Sequence, residues 1–481
     1  MNFGTVLRIL GNLLIIEAVL MLPSYFIALY DGGPDKLAFL MTIIITAAIG
    51  SFLAYRFRKE KAISAKDGLA IVSIGWLAAS ALGAIPLYAS GVAGYVDALF
   101  EIVSGFTTTG ATIFSDVESL PMGILFWRSF THWIGGMGIL VFTLALLPAL
   151  GIGGFQIYKA ESPGPVAGKI APRLKDTAKI LYTTYFTITI AEVVLLLFGG
   201  MPLFDSLVNT FGSVGTGGFA IKNTSIGAYN STYIHLVIGF FMLASGVNFS
   251  LYYSFFKGRA TDLFKDEELR LYLKIVGIAS IAIAIDLWLV DYHNLFYSLR
   301  DAFFQVSSII TTTGYSTSNF DIWPTFSKGI LMILMFIGAS AGSTGGGMKV
   351  IRILVMLKLI KREVGKLYHP RAIIPVKINN KVMSNETIAR INSFLALYLV
   401  LFLFSTLIVS LEQVDLVTAA SSVAATLGNI GPGLEMVGPT QNFGFYSIPT
   451  KLWFSALMLM GRLELFTIIA LIAPKNWRVD A

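Results

Sequence analysis

The sequence predicts an all-α protein that crosses a membrane many times, with two N-terminal spans followed by four parallel repeats of span, re-entrant helix and span. Three observations predict this fold class. Of the 481 residues, 55% are hydrophobic and only 13% are charged, so a soluble protein of this size could not bury its apolar side chains. Ten apolar stretches are each long enough to cross a bilayer. One short motif recurs four times at a spacing of roughly a hundred residues, which indicates an internal repeat.

The ten apolar stretches define the predicted spans and units. The first stretch is too long for the core of a signal peptide and lacks a convincing cleavage site of small residues, so we expect it to be retained. The predicted spans lie at 6–30, 37–55, 68–90, 123–150, 180–200, 233–256, 271–290, 329–356, 391–411 and 452–473. The predicted units are an N-terminal pair of spans (1–66) and four repeats (67–165, 166–262, 263–381 and 382–481).

Basic residues predict the orientation of the chain. Lys and Arg are concentrated in the loops after the second, fourth, sixth and eighth spans and near the C-terminus, so these loops and both termini are expected in the cytoplasm. The alternate loops carry Asp116, Glu118, Asp291 and Glu435 and are expected outside. The net charge of +7 therefore reflects this bias rather than a nucleic-acid surface.

The recurring motif is an Asp followed, after ten residues, by Thr, one arbitrary residue and Gly. From the composition of the chain, about 0.1 such matches would be expected by chance. The copies are Asp97 with Thr108-Thr109-Gly110, Asp205 with Thr216-Gly217-Gly218, Asp301 with Thr312-Thr313-Gly314, and Asp415 with Thr426-Leu427-Gly428.

Each copy begins a moderately apolar segment that is too short to cross the bilayer and suits a re-entrant half-helix. The Asp is expected to cap the N-terminus of this helix, and the Gly is expected to end it and to turn carbonyl oxygens toward a common axis. Four such bends would form a ring of carbonyls that replaces the hydration shell of a cation. The alternative for any single copy is a helix that ends at Gly and continues into an external loop. Four copies on one side of the membrane favour the ring.

Other kinds of chemistry have little support. The chain has no Cys and only four His, and these His residues lack metal-ligand spacing. No polar stretch is long enough for a soluble catalytic domain, and no pairing of nucleophile and base is present, so a membrane enzyme or respiratory subunit is not expected. We expect no resident cofactor, and the permeating ion is the expected ligand.

The Thr-x-Gly parts of the four motifs lie within the segments 107–112, 215–219, 311–317 and 426–433. Two further segments are also informative. These are the Gly-rich stretch 338–347 and Gly461-Arg462-Leu463-Glu464. Together the segments resemble the Trk/Ktr/HKT superfamily of potassium transporters, and within it the TrkH-type membrane subunit. The resemblance covers about residues 68–473, and the extra N-terminal pair of spans also resembles the TrkH type.

The resemblance implies a single chain folded around one pore in a pseudo-fourfold, potassium-channel-like arrangement, with potassium bound only as the permeating substrate. It also implies a homodimer in the bacterial cytoplasmic (inner) membrane and a cytosolic, TrkA-like regulatory ring with nucleotide-binding domains. Gly110 at the first filter position favours potassium over sodium.

The eighth span is interrupted by Gly342-Ser343-Thr344-Gly345-Gly346-Gly347, where each Gly costs a helix about 1 kcal/mol, so a break or flexible loop is expected. A phosphate-binding loop is excluded because the Gly-Lys-Ser/Thr ending is absent. A close helix contact of the Gly-x-x-x-Gly type is an alternative. The resemblance implies an intramembrane gating loop beneath the filter, and we favour this interpretation.

Arg462 lies near the middle of the last span, where an Arg costs at least about 2.5–3.5 kcal/mol unless it faces water or a partner. It either forms a structural ion pair, with Glu464 or a neighbouring repeat, or, as the resemblance implies, presents a positive barrier below the filter.

The favoured function is passive potassium uptake driven by the membrane potential. The alternative is symport with protons or sodium, for which Glu192 and Asp286 are the candidate residues. Neither residue is favoured for permeation. Arg128 is expected to snorkel at the outer end of the fourth span, and His132 is expected to be a hydrogen-bonded structural residue.

Overall fold

The computed structural model describes residues 2–57, 63–138, 174–258 and 261–472, and almost all regular structure in these ranges is α-helical. The end of the predicted fourth span, the boundary between the first two repeats at 165/166 and many of the basic loop residues lie outside the described ranges. Among the described residues, six helices are long and apolar enough to cross a membrane, and one bent helix pair would make a seventh. The chain is a multi-pass membrane protein.

The N-terminal unit forms two spans, as predicted. Helices α1 (Phe3–Leu20) and α2 (Leu22–Asp31) make the first, and α3 (Lys36–Arg56) makes the second. Helices α1 and α3 cross closely at two glycines, because a Cβ atom added to Gly11 would lie 2.6 Å from the carbonyl oxygen of Gly50. Small residues at such a crossing allow close packing of two helices without a hydrophobic driving force in lipid.

Within the predicted repeats the helices follow one order: a first long helix, a short helix and a second helical segment. We call these the first span, the pore helix and the second span, after the roles that the sequence predicts for them. Repeat 1 has α4 (Ala65–Gly83) with α5 (Ile85–Ala89), α6 (Tyr95–Phe106) and α7 (Met122–Gly136). Repeat 2 has α8 (Leu174–Phe198), α9 (Leu203–Val214), and α10 (Thr232–Ser245) with α11 (Phe249–Phe256). Repeat 3 has α12 (Thr261–Lys265) with α13 (Glu267–Leu287), α14 (Leu295–Ile310), and α15 (Thr325–Ile337) with α16 (Val350–Tyr368). Repeat 4 has α17 (Asn385–Val409), α18 (Leu416–Gly428), and α19 (Ile448–Arg462) with α20 (Leu465–Ile472).

The pore helices α6, α9, α14 and α18 hold the repeats together in a ring. Each pore helix packs on the second span of its own repeat and on the second span of the preceding repeat. Thus α9 packs on α10 and α7, α14 packs on α15 and α10, and α18 packs on α19 and α15. The ring closes because α6 packs on α7 and also on α19, from the other end of the chain.

Among the described residues, the second spans of repeats 2, 3 and 4 are interrupted. Helices α10 and α11 meet at an angle of 94°, and α19 gives way to α20 at Leu463 and Glu464. The largest interruption separates α15 from α16 at residues 338–349 and contains the predicted Gly-rich segment, so the predicted break in the eighth span is confirmed. The sequence predicts this break, where three glycines are consecutive, and gives no signal for the breaks in repeats 2 and 4, which lack such a run.

The basic segment 358–381, which follows the predicted eighth span, contains regular structure. Helix α16 extends to Tyr368, and strands β1 (Lys377–Ile378) and β2 (Lys381–Val382) then form an antiparallel hairpin. Its two turn residues, Asn379 and Asn380, both have positive φ, as a two-residue turn of this kind requires. Short 3-10 or π turns complete the described structure at Ser225–Ala228, Trp288–Tyr292, Phe320–Ile322, Ser410–Glu412 and Glu435–Val437.

Candidate functional site

The segments that follow the first three pore helices share one backbone conformation. Thr108, Thr216 and Thr312 each have a left-handed φ, of 55°, 56° and 60°. In each segment the next residue donates its N–H to the carbonyl five residues earlier, at 2.8 Å. The third residue is a Gly with φ of 80°, 79° or 86°, a region that other residues rarely adopt. These are Gly110, Gly218 and Gly314, as predicted.

The fourth segment has the same conformation, but three residues later than the sequence motif indicates. Asn429 has the left-handed φ of 56°, Ile430 donates to the carbonyl of Ala425 at 2.9 Å, and Gly431 has φ of 95°. The prediction that Thr426, Leu427 and Gly428 form this bend is wrong, because all three belong to pore helix α18. The helix continues past the matched motif, and Asn429 ends it because Asn tolerates the left-handed region.

Contacts between the four segments close into a ring. A Cβ atom added to Gly110 would collide with the carbonyl oxygen of Gly217, and one added to Gly218 with that of Thr313. A Cβ atom on Gly314 would collide with the carbonyl oxygen of Ile430, and one on Gly431 would lie 2.8 Å from that of Thr109. Each segment therefore places a Gly against a carbonyl of the next one, and the fourth returns to the first. We call this arrangement the carbonyl ring.

The same four glycines line one open pocket, which also confirms the position of the fourth segment. Its lining includes Gly110, Gly218, Gly314 and Gly431, together with residues of the loops that follow the filter segments.

Hydrogen bonds join these loops to one another at the rim of the pocket. Asn223 accepts from Val117 N and donates to Asp116, at 2.9 Å in each case, and the bond to Asp116 lowers the pKa of that carboxyl.

The motif aspartates cap only one of the four pore helices. Asp415 is the N-cap of α18 and accepts from Thr418 N at 2.9 Å. The prediction is wrong for Asp97, Asp205 and Asp301, because α6, α9 and α14 begin after Gly94, Pro202 and Asn294. Asp97 and Asp205 instead lie in the first helical turn, where a negative charge still suits the helix dipole.

These three carboxylates bind other side chains. Asp97 accepts from Lys451 Nζ of repeat 4 at 2.7 Å, and Asp205 accepts from Tyr229 Oη at 2.7 Å. Asp301 lies well inside α14 and pairs with Arg300 at 2.8 Å. Asp97 thus ties its pore helix to repeat 4 and Asp205 ties its pore helix to the following loop, whereas Asp301 pairs within its own helix.

The Gly-rich loop between α15 and α16, residues 338–349, packs directly beneath the carbonyl ring. Gly346 N donates to Thr312 Oγ1 of the third filter segment at 2.6 Å. A Cβ atom on Gly345 would lie 2.8 Å from the carbonyl oxygen of Thr311, and one on Gly346 would lie 2.7 Å from that of Gly428. On its other side the loop bonds to the break in repeat 2, where Thr344 Oγ1 donates to the carbonyl of Ser245 at 3.1 Å. We call these residues the gate loop, after the role that the resemblance implies for them.

Arg462 joins the gate loop to repeat 1. Its side chain is 8% exposed. Nη1 donates to the carbonyl of Thr344 at 2.6 Å, and Nη2 donates to the carbonyls of Gly135 and Gly136 at 2.6 and 2.9 Å. The guanidinium therefore binds helix-end carbonyls, whose partial negative charge suits a cation. Glu464, the predicted candidate for an ion pair with Arg462, pairs with Arg352 at 2.5 Å.

Comparisons with known proteins agree with this architecture. A family model described as "TrkH: Cation transport protein" matches residues 35–479. The chain belongs to the TrkH family. It is 38% identical to the Trk system potassium uptake protein TrkH of Salmonella typhimurium, over 99% of this chain and 100% of that protein. It is 35% identical to TrkG of Escherichia coli, over 97% of each chain. The crystal structure of the potassium transporter TrkH from Vibrio parahaemolyticus matches with a TM-score of 0.89 and 34% identity, over 99% of this chain and 100% of that one.

The carbonyl ring of this TrkH-family chain is held by buried polar residues, among them Arg128, which is buried rather than snorkelling to the membrane surface as expected. Glu101 on α6 accepts from Thr112 Oγ1 at 2.9 Å and from Ile113 N at 3.0 Å, just after the first filter Gly. Arg128 pairs with Glu101 at 2.5 Å, and its guanidinium lies 4.2 Å from the ring centre of Phe219. The buried pair thus links the first segment to the second.

His132 makes a second link between these segments. Phe219 N donates to Nε2 at 3.2 Å, so the ring proton is on Nδ1, which donates to the carbonyl of Gly105 at 2.8 Å. Tyr315 similarly joins the third segment to the second, because its hydroxyl lies 3.2 Å from the carbonyl of Phe219. An isolated Arg, His or Tyr in an apolar stretch has no sequence pattern, and only the packing of the repeats shows what it supports.

One buried carboxylate fastens both ends of the gate loop. Glu268 on α13 accepts from Ala341 N at 2.7 Å and from Ile351 N at 3.1 Å through the same oxygen, Oε1. Within the loop, the Lys349 ammonium group donates to the carbonyl of Gly345. The loop is therefore anchored at its base by Glu268, at its tip by the filter, and at its side by Arg462.

Proposed function

We propose that this TrkH-family protein carries potassium into the cell through the carbonyl ring, down the electrochemical gradient. The observation that carries the proposal is the closed cycle of contacts among Gly110, Gly218, Gly314 and Gly431. Four equivalent carbonyls, from Thr109, Gly217, Thr313 and Ile430, are available to replace the hydration shell of a cation as it enters the ring. The relatives TrkH and TrkG are named as potassium uptake proteins, which supports potassium as the substrate.

The membrane potential supplies the driving force in this proposal. A monovalent cation gains about 2.3 kcal/mol on moving inward across 100 mV, so no second ion is required for accumulation. Glu192 and Asp286, the candidates for a coupled mechanism, serve local packing. Glu192 accepts from Ser213 Oγ at 2.6 Å, and Asp286 accepts from Ser327 Oγ at 2.6 Å. Neither lies among the described residues that line the pocket over the carbonyl ring, which favours uncoupled uptake over symport.

The gate loop and Arg462 form the barrier below the filter in this proposal. Arg462 places a positive charge at the inner side of the carbonyl ring and holds Thr344 of the loop through a hydrogen bond of 2.6 Å. Conduction then requires the loop to leave this position. A cytosolic, TrkA-like nucleotide-binding ring would supply that movement. We place the protein as a homodimer in the bacterial inner membrane, with both termini in the cytoplasm.

Rubidium uptake into proteoliposomes tests the function directly. The purified chain should take up rubidium and potassium in preference to sodium when the interior is negative, and imposing a proton or sodium gradient should leave the rate at fixed voltage unchanged. A rate that follows the proton gradient at constant voltage would instead support symport.

Gly110→Ser should lower the potassium-to-sodium preference at least about tenfold, because φ of 80° and the adjacent carbonyl of Gly217 leave no room for a side chain.

Arg462→Gln tests the barrier. Loss of the charge and of charge-assisted bonds to three carbonyls should raise basal rubidium flux about tenfold, since one such bond contributes roughly 1.5–3 kcal/mol. Lys451→Gln is the matched control, because Lys451 is also a cation on α19 but pairs with Asp97 near the start of that helix. Equal flux from both variants would contradict the assignment of Arg462.

A further inference from the structure

A hydrogen bond joins the gate loop to the third filter segment. Thr312 Oγ1 accepts from Gly346 N at 2.6 Å, and both residues are buried. Thr312 is the left-handed residue of the third filter segment, two residues before Gly314. A residue of the carbonyl ring therefore holds the tip of the loop that closes the path below it.

The equivalent residues in the other repeats make different bonds. The hydroxyl of Thr216 donates to the carbonyl of the preceding residue, Gly215, at 2.7 Å. The hydroxyl of Thr108 has no hydrogen-bond partner among the described residues. Asn429 donates to Thr109 Oγ1 at 3.0 Å and to the carbonyl of Met458 at 2.8 Å. Of these four described side chains, the one that bonds to the gate loop is that of Thr312.

Packing makes the position of the loop sensitive to the shape of the third and fourth segments. A Cβ atom on Gly346 would lie 2.9 Å from Cβ of Asn429, and one on Gly345 would lie 2.6 Å from Cβ of Ala339. The loop backbone thus fits between the filter and the rest of the loop, with no space for a side chain. A shift of Thr312 would move the acceptor away from Gly346 N.

We propose that Thr312 is a positioning residue that couples ion occupancy of the filter to closure of the gate loop. An ion in the carbonyl ring holds residues 312–314 in the ring conformation, and this conformation presents Thr312 Oγ1 to Gly346 N. Because coupling between two sites is reciprocal, loop closure also favours the occupied filter. This inference rests on the proposed function, since it takes the carbonyl ring as the ion site.

Cysteine labelling of the loop tests the coupling without measuring transport. The chain contains no Cys, so Ser343→Cys introduces a single thiol into the loop at a position that is 7% exposed. The modification rate of the purified full-length protein by a maleimide would be measured in potassium chloride and in choline chloride of equal ionic strength. Potassium should slow labelling at least about threefold, because it favours the closed loop.

The Thr312 variants show whether this hydroxyl carries the effect. In the Ser343→Cys background, Thr312→Val should speed labelling about fivefold in potassium and abolish the difference between the two salts, as expected for loss of one buried neutral hydrogen bond. Thr312→Ser keeps the hydroxyl and should retain the parent behaviour. Thr216→Val is the matched control and should keep the potassium effect, because its hydroxyl bonds within its own segment.

Two results would overturn the inference: labelling of the parent that does not depend on potassium, or a Thr312→Val variant that keeps the parent's potassium dependence. Basal rubidium flux measured on the same proteins separates this inference from the proposed function. A parent that binds and transports no rubidium contradicts the proposed function. A parent that transports rubidium while Thr312→Val labels like Thr216→Val contradicts only the coupling.

Discussion

The first three filter segments and the fourth reach the same backbone shape from different sequences. Segments 1 to 3 use Thr at the left-handed position and Gly two residues later, and both residues fall where the repeated motif places them. Segment 4 uses Asn429 and Gly431, and its motif match at Thr426 and Gly428 lies in the last turn of a helix. The comparison shows that backbone dihedrals and ring contacts, rather than motif spacing, define which residues are equivalent.

The segments also differ in how they are supported. A buried ion pair between Arg128 and Glu101 stabilises the first segment. In the fourth, a hydroxyl serves this purpose: Ser421 Oγ accepts from Leu434 N at 3.0 Å. A ring made by one chain can therefore be braced differently in each repeat, unlike a ring made by four identical subunits. The following predictions test this difference, beginning with the largest expected effect.

Arg128→Met should destabilise the protein by about 3–5 kcal/mol, because it leaves the Glu101 carboxylate buried without its charged partner. Thermal or denaturant unfolding in detergent measures the change. Lys222→Met is the control, since Lys222 and Glu118 form an exposed pair 3.7 Å apart whose loss should cost at most about 1 kcal/mol. Similar stability of the two variants would show that the first segment does not depend on its ion pair.

Gly431→Ser should lower potassium uptake roughly tenfold to a hundredfold, because Gly431 occupies the same backbone position as the other three ring glycines. Its φ of 95° and the carbonyl of Thr109 oppose a side chain. Gly428→Ala is the matched substitution, because Gly428 lies in helix α18, where Ala is favourable and the nearest atoms to an added Cβ are 3.0 Å away. Uptake by this variant should stay within about threefold of the parent. A larger loss of uptake in Gly428→Ala than in Gly431→Ser would support Gly428 as the fourth ring glycine, as the motif predicts.

Asn429→Thr gives the fourth segment the residue found in the other three and should have the smallest effect. It removes the bonds from Asn429 Nδ2 to Thr109 Oγ1 and to the carbonyl of Met458, which join the fourth segment to the first and to α19. Loss of about 1 kcal/mol per bond predicts a fall in thermal stability of a few degrees and a change in ion preference of about fivefold. A variant with unchanged stability and ion preference would show that the contact between segments 4 and 1 does not depend on this side-chain hydrogen bond.

The sequence alone predicted the fold class, the three regular filter segments and the break in the eighth span, because each has a strong periodic or compositional signal. Apolar length indicates spans, and consecutive glycines indicate a broken helix. The motif misplaces the fourth bend because Thr426 and Gly428 match it three residues before the bend, and the extra helical turn of α18 has no separate signal. The roles of His132 and Glu268 depend on contacts with segments 87 and more than 70 residues away, which no local pattern encodes.

The most direct test of the central claim is an anomalous-scattering or density map of the protein with bound rubidium or thallium. We predict an ion whose nearest ligands are the carbonyl oxygens of Thr109, Gly217, Thr313 and Ile430. An ion bound instead by the carbonyls of Leu427 and Gly428, or a map in which the four segments hold no ion between them, would contradict the account.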